Sequence, residues 1–292
     1  MNIEYVQTQG WKDYELIDSG DFYKLERFGD YILARPEPQA IWRKSLTDAE
    51  WEEMANAVFE KGKGDGERGE WVAQKGMPEQ WRVRYDYKNM HMDMRLGRTS
   101  FKHVGIFPEQ ASNWCFIYDK ISELRSTNEE VKVLNLFAYT GGASLSACSA
   151  GAKVTHVDSV KQVVNWSKEN MLNSNLDDIR WIVEDARKFV AREVKRGNKY
   201  HGIILDPPAY GRGADGEKWV LENDIFELLE DCSKLLEEDG FVVFNLYSMG
   251  LSALLAEGLL RQVFGEKEIT CGELYFEDRF KKRLPFGIYA RF

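Results

Sequence analysis

From residue 104 to the C-terminus, short apolar runs alternate with longer stretches whose apolar residues recur at helical spacing, and this alternation restricts the fold more than any other feature of the chain. Apolar runs fall at 131–137, 153–157, 181–183, 202–205 and 241–246, separated by helical patterns over 143–150, 160–173, 186–196 and 221–237. A further helix starts at Pro108 and carries Trp114, Ile117, Ile121 and Leu124 on one stripe. Strands that are each followed by a helix pair in parallel. A parallel sheet is covered on both faces, so its strands read as unbroken apolar runs. The last two runs, 268–276 and 286–292, have no helix between them and predict an antiparallel hairpin. The expected fold class is therefore α/β: an open, mostly parallel sheet of six or seven strands with an antiparallel C-terminal edge.

The preceding part reads differently. Strand patterns at 14–18, 22–28, 31–35, 81–87 and 90–96 are punctuated by Gly20, Gly29 and Gly97. One helix interrupts them: Thr47 and Glu50 form a capping-box pattern, and Trp51, Met54 and Val58 follow at helical spacing. The stretch 61–69 is too polar and glycine-rich to pack and is read as a mobile loop. We place a small β-rich domain at 1–103, a candidate RNA- or substrate-binding unit, and the α/β domain at 104–292.

Composition bounds the function classes. A chain that is 43% hydrophobic and 30% charged folds. No apolar stretch approaches the ~18 residues of a membrane span, and the first ten residues lack a signal-peptide pattern, so the expected location is cytoplasmic. Cys115, Cys148, Cys232 and Cys271 are scattered, and with the four histidines they show no metal-ligand spacing, so no metal is expected. A net charge of −9 argues against nonspecific coating of nucleic acid. A local basic face remains open, because 82–102 holds Arg82, Arg84, Lys88, Arg95, Arg98 and Lys102 among aromatic residues.

In an open α/β sheet, ligands bind beyond the carboxyl ends of the strands. The first parallel strand exits as Asn135-Leu136-Phe137-Ala138-Tyr139-Thr140-Gly141-Gly142, whose paired glycines let backbone approach a ligand. The second exits as Asp158-Ser159, 17 residues past Gly141, where a carboxylate can accept from both hydroxyls of a ribose. The third exits as Asp185-Ala186, where the carboxylate can accept from an adenine amino group and the Ala186 N–H can donate to its ring. Helix N-capping would explain Asp158 and Asp185 equally well. The fourth exits as Asp206-Pro207-Pro208-Ala209-Tyr210. Together the exits point to an adenosine-containing cofactor. A dinucleotide wants Gly-x-Gly-x-x-Gly under its pyrophosphate, which this chain lacks; S-adenosylmethionine carries no phosphate, and its sulfonium suits acidic surroundings.

The motifs LNLFAYTGGASL, VTHVDSV, IVEDARKF and LDPPAYGRG, in that order, resemble those of the class I S-adenosylmethionine-dependent methyltransferases that modify large-subunit ribosomal RNA, the cytosine-C5 and guanine-N7 enzymes. VGIFPEQASNW resembles the family's segment leading into the first motif and partly covering the cofactor. The resemblance covers about 104–292 and implies a Rossmann-like domain binding S-adenosylmethionine. It implies that Asn135, Phe137, Thr140 and Gly141 contact the methionine part, Asp158 the ribose, Asp185 the adenine, and 206–210 the acceptor pocket. Phe107, Gln110, Tyr139, Ser159, Ala186, Asp206 and Pro207 complete the expected cofactor set.

The same resemblance implies an RNA substrate, ribosomal RNA in particular. Asp206 and Tyr210 are the expected catalytic residues, Asp206 orienting an amine or ring N–H and Tyr210 clamping the base by stacking on it, with Pro208, Arg84, Arg95 and Arg98 as further substrate contacts. Three departures bear on the acceptor. FNLYSMG after the fifth strand has no cysteine for C5 chemistry, Ala209 separates Pro-Pro from the aromatic, and 1–103 does not show the family's RNA-binding module. Transfer to nitrogen is therefore expected, with oxygen as the lesser alternative and without a covalent enzyme–base intermediate. A small-molecule or protein methyltransferase, or a noncatalytic RNA-binding or assembly protein keeping the cofactor fold, are the other readings.

Overall fold

A computed structural model describes residues 3–62, 68–213, 216–247 and 250–292. The chain opens with β1 (Glu4–Gln7), then β2 (Tyr14–Gly20), β3 (Tyr23–Phe28), β4 (Tyr31–Pro36), α1 (Asp48–Met54), β5 (Ala57–Lys61), β6 (Gly69–Ala73), β7 (Gln80–Tyr87) and β8 (Met90–Gly97). A 3-10 turn, Pro108–Gln110, leads into α2 (Ala111–Leu124). Alternation follows: β9 (Lys132–Leu136), α3 (Gly142–Ser149), β10 (Lys153–Asp158), α4 (Lys161–Asn173), β11 (Ile179–Val183), α5 (Ala186–Arg196) and β12 (Tyr200–Leu205). A short hairpin, β13 (Tyr210–Arg212) and β14 (Lys218–Val220), precedes α6 (Leu221–Leu235), β15 (Leu236–Leu246), α7 (Ala253–Phe264), β16 (Thr270–Glu277) and β17 (Arg283–Arg291).

The large sheet runs β1-β16-β17-β15-β12-β9-β10-β11, parallel from β15 to β11, with β17 antiparallel to both neighbours. It has eight strands where six or seven are expected. The eighth is β1, which pairs in parallel with β16 at the far edge. Its four residues, EYVQ, are mostly exposed and carry no apolar pattern, so only long-range pairing reveals them as a strand. Helix α7 also escapes the sequence reading. Leu254 and Leu255 face outward while Ala256 and Leu260 are buried, so apolar residues ring the helix and blur its period.

Residues alternate across the sheet as period-two geometry demands. Val133, Ile204 and Val243 join the core under α2 and α3, while Leu134, Ile203, Leu205, Val242 and Phe244 join the core under α5, α6 and α7. Both faces are apolar, which is why these strands read as continuous runs.

The β-rich part forms a five-stranded sheet, β2-β3-β4-β5-β6, and the β7–β8 hairpin. The capping box at Thr47 and Glu50 is present, with the Glu50 amide donating to Thr47 Oγ1 and the Thr47 amide to Glu50 Oε2. The loop at 61–69 shrinks: Lys61 and Gly69 pair as ends of β5 and β6, and 63–67 lie outside the described residues. Two seams join this part to the larger sheet. The β8 amides of Asp93 and Arg95 donate to Ser174 Oγ and Asn170 Oδ1 at the C-terminal end of α4, and the buried methionines of β8 share a core with α2 and α3. At the other seam Asp18, fully buried, accepts from the Ser45 and Leu46 amides, the Trp51 indole at 2.9 Å and Lys282 Nζ at 2.7 Å in the β16–β17 turn. Burial alone would raise the Asp18 carboxyl, but Lys282 and the amides hold it below its ordinary range.

Candidate active site

β9 has β10 on one side and β12 on the other, so strand order reverses there and a crevice opens beyond its carboxyl end. The loop leaving β9 is wound tightly: Phe137 and Tyr139 hold φ of 55° and 49°, and Gly141, the α3 N-cap, 93°. Left-handed backbone at two non-glycine residues costs on the order of 1–3 kcal/mol each and persists only where neighbours enforce it. Here they do. Tyr139 N–H donates to Asp158 Oδ2 at 3.0 Å, Ser167 Oγ donates to the Tyr139 carbonyl at 2.6 Å, Thr140 Oγ1 donates to the Gly105 carbonyl at 2.7 Å, and Asn170 Nδ2 donates to the Thr140 carbonyl. Gly142 is required sterically, since a Cβ there would meet the Trp114 ring at 2.6 Å.

Beneath the loop Asn135 Nδ2 donates to Ser144 Oγ, which pairs in turn with His156 Nδ1. Burial pushes His156 down to about 3, so the imidazole is neutral. The side chains of Asn135 and Thr140 are therefore committed to shaping the loop.

The crevice holds a cavity lined by Phe107, Gln110, Asn135, Phe137, Tyr139, Thr140, Gly141 and Asp206, eight of the residues singled out from sequence. Met94, Ile106, Asn113, Trp114 and Asn245 line it as well. Among the described residues its lining contains no Lys, Arg or His, and Asp206 is its one carboxylate. Asp206, at the exit of β12, has no hydrogen-bond partner among the described residues. Burial, and then the nearby Glu109 charge, push it up to about 7.

The other expected site residues stand around the cavity without lining it. Asp158 accepts from the Tyr139 and Val160 amides, and burial raises its carboxyl despite them. Ser159 is beside it. Asp185 caps α5, accepting from the Lys188 amide at 3.1 Å, with Ala186 as the first helical residue. The β10 and β11 ends are in register, and the Glu184 amide donates to the Asp158 carbonyl, so both acids sit on the same sheet edge. Pro207 is buried and Pro208 exposed, with the Pro208 carbonyl taken by the Trp219 indole at 2.6 Å. Tyr210 lies in β13, 51% exposed, and its hydroxyl accepts from Arg212 Nε.

The arginines point elsewhere. Met94 of β8 lines the cavity, so Arg95, its neighbour along the strand, projects from the opposite face. There it pairs with Glu169 at 2.9 Å over the Trp166 ring. Arg84 pairs with Asp93 on that outer face, and Arg98 reaches the Met77 carbonyl.

Two groups escape the sequence reading. Glu109 is buried beside the cavity and accepts from the Tyr247 hydroxyl at 3.0 Å; Gln110 Nε2 donates to the same hydroxyl at 2.6 Å. The Phe107 ring lies between Tyr139 and Tyr247, at 5.4 and 5.7 Å. Asn113 Nδ2 continues the network to Gln110 and to Asn245 Oδ1. The available signal was Asn245 itself, a polar residue inside an apolar parallel strand.

A crystal structure titled as the SAM-dependent methyltransferase from Agrobacterium tumefaciens superposes with a TM-score of 0.90 at 36% identity, over 99% of this chain and 93% of that one. The chain belongs to the SAM-dependent methyltransferases. Residues 118–265 of this methyltransferase match the family described as conserved hypothetical protein 95. Ribosomal RNA large subunit methyltransferase K/L of Shewanella amazonensis is 27% identical over 87% of the chain, and its namesake from Vibrio cholerae 34% identical over 44%. The methyltransferase spans 38% of the length of the first of these relatives and 19% of the second. No helix of the described residues is long and apolar enough to cross a membrane.

Proposed function

We propose that the protein transfers a methyl group from S-adenosylmethionine to a ring or exocyclic nitrogen of an RNA base, with ribosomal RNA as the substrate class. The observation that carries the reading is the unpartnered Asp206 carboxylate facing a cavity whose described lining has no cation. A pyrophosphate would find only a carboxylate there, whereas a sulfonium and an N–H donor are both attracted. The tightly wound loop lets backbone approach the cofactor, with Asp158 and Asp185 on the neighbouring strand ends toward its ribose and adenine. When bound, S-adenosylmethionine supplies a methyl group on a positively charged sulfur. Asp206 would orient the acceptor N–H and take the proton that the nitrogen exchanges for the methyl group. Phe107 and Tyr139 line the cavity and give it aromatic surface suited to a planar base. The RNA class comes from the names of the K/L relatives, and with it the cytoplasm as the place of work.

Two observations favour a different acceptor. The β7–β8 arginines turn away from the cavity, and the net charge is −9, both in keeping with a protein or small-molecule substrate. Incubation with methyl-labelled cofactor and ribosomal subunits, free protein or a metabolite extract separates the readings. Label is expected on a nucleobase nitrogen; label in protein or small molecules would overturn the RNA assignment.

Carbon-5 of cytosine is a poor nucleophile until a thiolate adds to the ring, so C5 transfer needs an activated cysteine at the base. None of the four cysteines lines the cavity, and burial raises every thiol: Cys115 lies against the Tyr85 hydroxyl, Cys148 donates to the Asp177 carbonyl, and Cys232 and Cys271 are core. Changing all four to Ser or Ala is expected to leave methyl transfer intact. Loss of turnover in a folded variant, or trapping of the enzyme on RNA containing 5-fluorocytosine, would overturn the nitrogen assignment.

Asp158→Ala is expected to weaken binding of the demethylated cofactor by about 1–3 kcal/mol, since ribose hydroxyls lose a buried acceptor. Asp158→Asn keeps an acceptor for the Tyr139 amide and separates loop pinning from ribose binding. Calorimetry showing unchanged affinity in both variants leaves Asp158 with the loop alone.

A further inference from the structure

The reading above uses one carboxylate, and a second stands behind it. Glu109 is 2% exposed in the turn leading into α2, its carboxylate tied to the Tyr247 hydroxyl, which also accepts from Gln110. Tyr247 is the first residue beyond β15, and β15 pairs with β12 up to Leu205 and Phe244, so the exits of these strands bring Tyr247 and Asp206 to one corner of the cavity. Gln110 and Asp206 line that cavity together. Tyr247 therefore lies between two acids, and both raise its hydroxyl after burial has done so.

We propose that Glu109, held by Tyr247, is a positioning residue for methyl transfer: its carboxylate keeps Asp206 poised to accept a proton from the acceptor at neutral pH. The proposal rests on the assignment of Asp206 to the acceptor. Burial raises the Asp206 carboxyl, but a cationic cofactor beside it acts the other way, favouring the ionised form and making it a weaker base at neutrality. A like charge nearby opposes that.

The groups facing Glu109 set the sign. Burial raises it, Lys24 of β3, its own amide and the Tyr247 hydrogen bond lower it, and Glu26 of β3 raises it, leaving it pushed up to about 7. Tyr14 of β2 and Arg35 of β4 also feel its charge. Lys24 is divided between Glu37 at 3.2 Å and Glu26 at 3.6 Å, so it does not neutralise Glu109 alone. The Glu109 charge adds to burial in raising Asp206, so neutralising Glu109 eases ionisation of Asp206.

The test is the titration of the Asp206 carboxyl carbon by NMR in the full chain saturated with the demethylated cofactor, its signal assigned by loss in Asp206→Asn. In Glu109→Gln the Asp206 midpoint is expected to fall by about half a pH unit or more, and the acidic limb of kcat/KM to move the same way. An unmoved midpoint in a Glu109→Gln protein that still binds cofactor would overturn the proposal; a purely structural Glu109 gives that result, with weakened cofactor binding instead. Tyr247→Phe serves if Glu109→Gln does not fold. Losing its donor leaves Glu109 more protonated, so the Asp206 midpoint falls by less in the same direction, and no fall, or a rise, would overturn the idea. If RNA is not the substrate, the transfer assay with RNA is silent while the NMR titration still reads, so the two failures are distinguishable.

Discussion

Asp206→Ala is expected to slow methyl transfer by about 10²–10⁴, the range for loss of a positioned proton acceptor, while binding of the demethylated cofactor stays near normal. Asp206→Asn, which keeps the shape and loses the base, is expected to fall nearly as far. Either variant retaining more than about a tenth of wild-type turnover would remove Asp206 from the chemistry. The pH dependence follows from the same burial. With the carboxyl raised to about 7, the ionised form that accepts a proton grows as pH rises through neutrality, and the wild-type rate rises with it. The linkage to stability runs the other way. A carboxyl raised by folding stabilises the native state fully below the ordinary carboxylate range, and that contribution is lost as pH rises to about 7. Thermal melts at alkaline pH are therefore expected to show Asp206→Asn as stable as wild type, or more so. The acceptor site is held ready at the expense of native-state stability.

Arg35→Met is the second large effect. Glu26, fully buried in β3, receives Arg35 Nε at 2.8 Å on Oε2 and the Tyr14 hydroxyl at 2.9 Å on Oε1, with Lys24 at 3.6 Å. Arg35 also donates to the Lys102 carbonyl, tying this sheet to the segment entering the site. Removing one partner of a buried pair leaves an uncompensated charge and costs about 3–5 kcal/mol. Residual pairing with Lys24 puts this case at the low end, about 3 kcal/mol by urea unfolding. Burial alone would raise Glu26, but Arg35 and Lys24 hold it below its ordinary value. A depressed carboxyl stabilises above the unfolded value, and that stability is lost as pH falls through the folded one. The gap between Arg35→Met and wild type is therefore expected to close in acid. A gap that persists unchanged at low pH would mean that Arg35 acts through packing. The double variant Glu26→Leu with Arg35→Met is expected to recover most of the loss, because neither charge is then stranded.

The parallel sheet was legible in the chain because its strands are apolar on both faces and are separated by helical periods. The strand exits were legible too, since a carboxylate straight after an apolar run is a local signal; Asn135 to Gly141 and Asp206 do meet around one cavity. Asp158 and Asp185 could be read two ways, and the structure shows both accepting backbone amides at helix starts.

Apart from the blurred period of α7, what sequence could not reach shares one physical cause: each such fact depends on a partner far along the chain. β1 is a strand only because β16 offers an edge some 270 residues away. The arginines of β7 and β8 looked like a substrate face, yet Asn170 and Ser174 at the end of α4 dock β8 so that its methionines turn into the core, Met94 reaching the cavity, and its arginine faces out. Glu109 and Tyr247 are 138 residues apart and meet only where the turn before α2 crosses the end of β15. Apart from α7, local patterning in the sequence by itself determined the main strands and helices of the α/β part, which faces they bury, and which carboxylates leave the strand ends. Tertiary structure alone decided which of those carboxylates has no partner, because desolvation and charge coupling depend on how closely distant groups pack, and neither is written in the order of the residues.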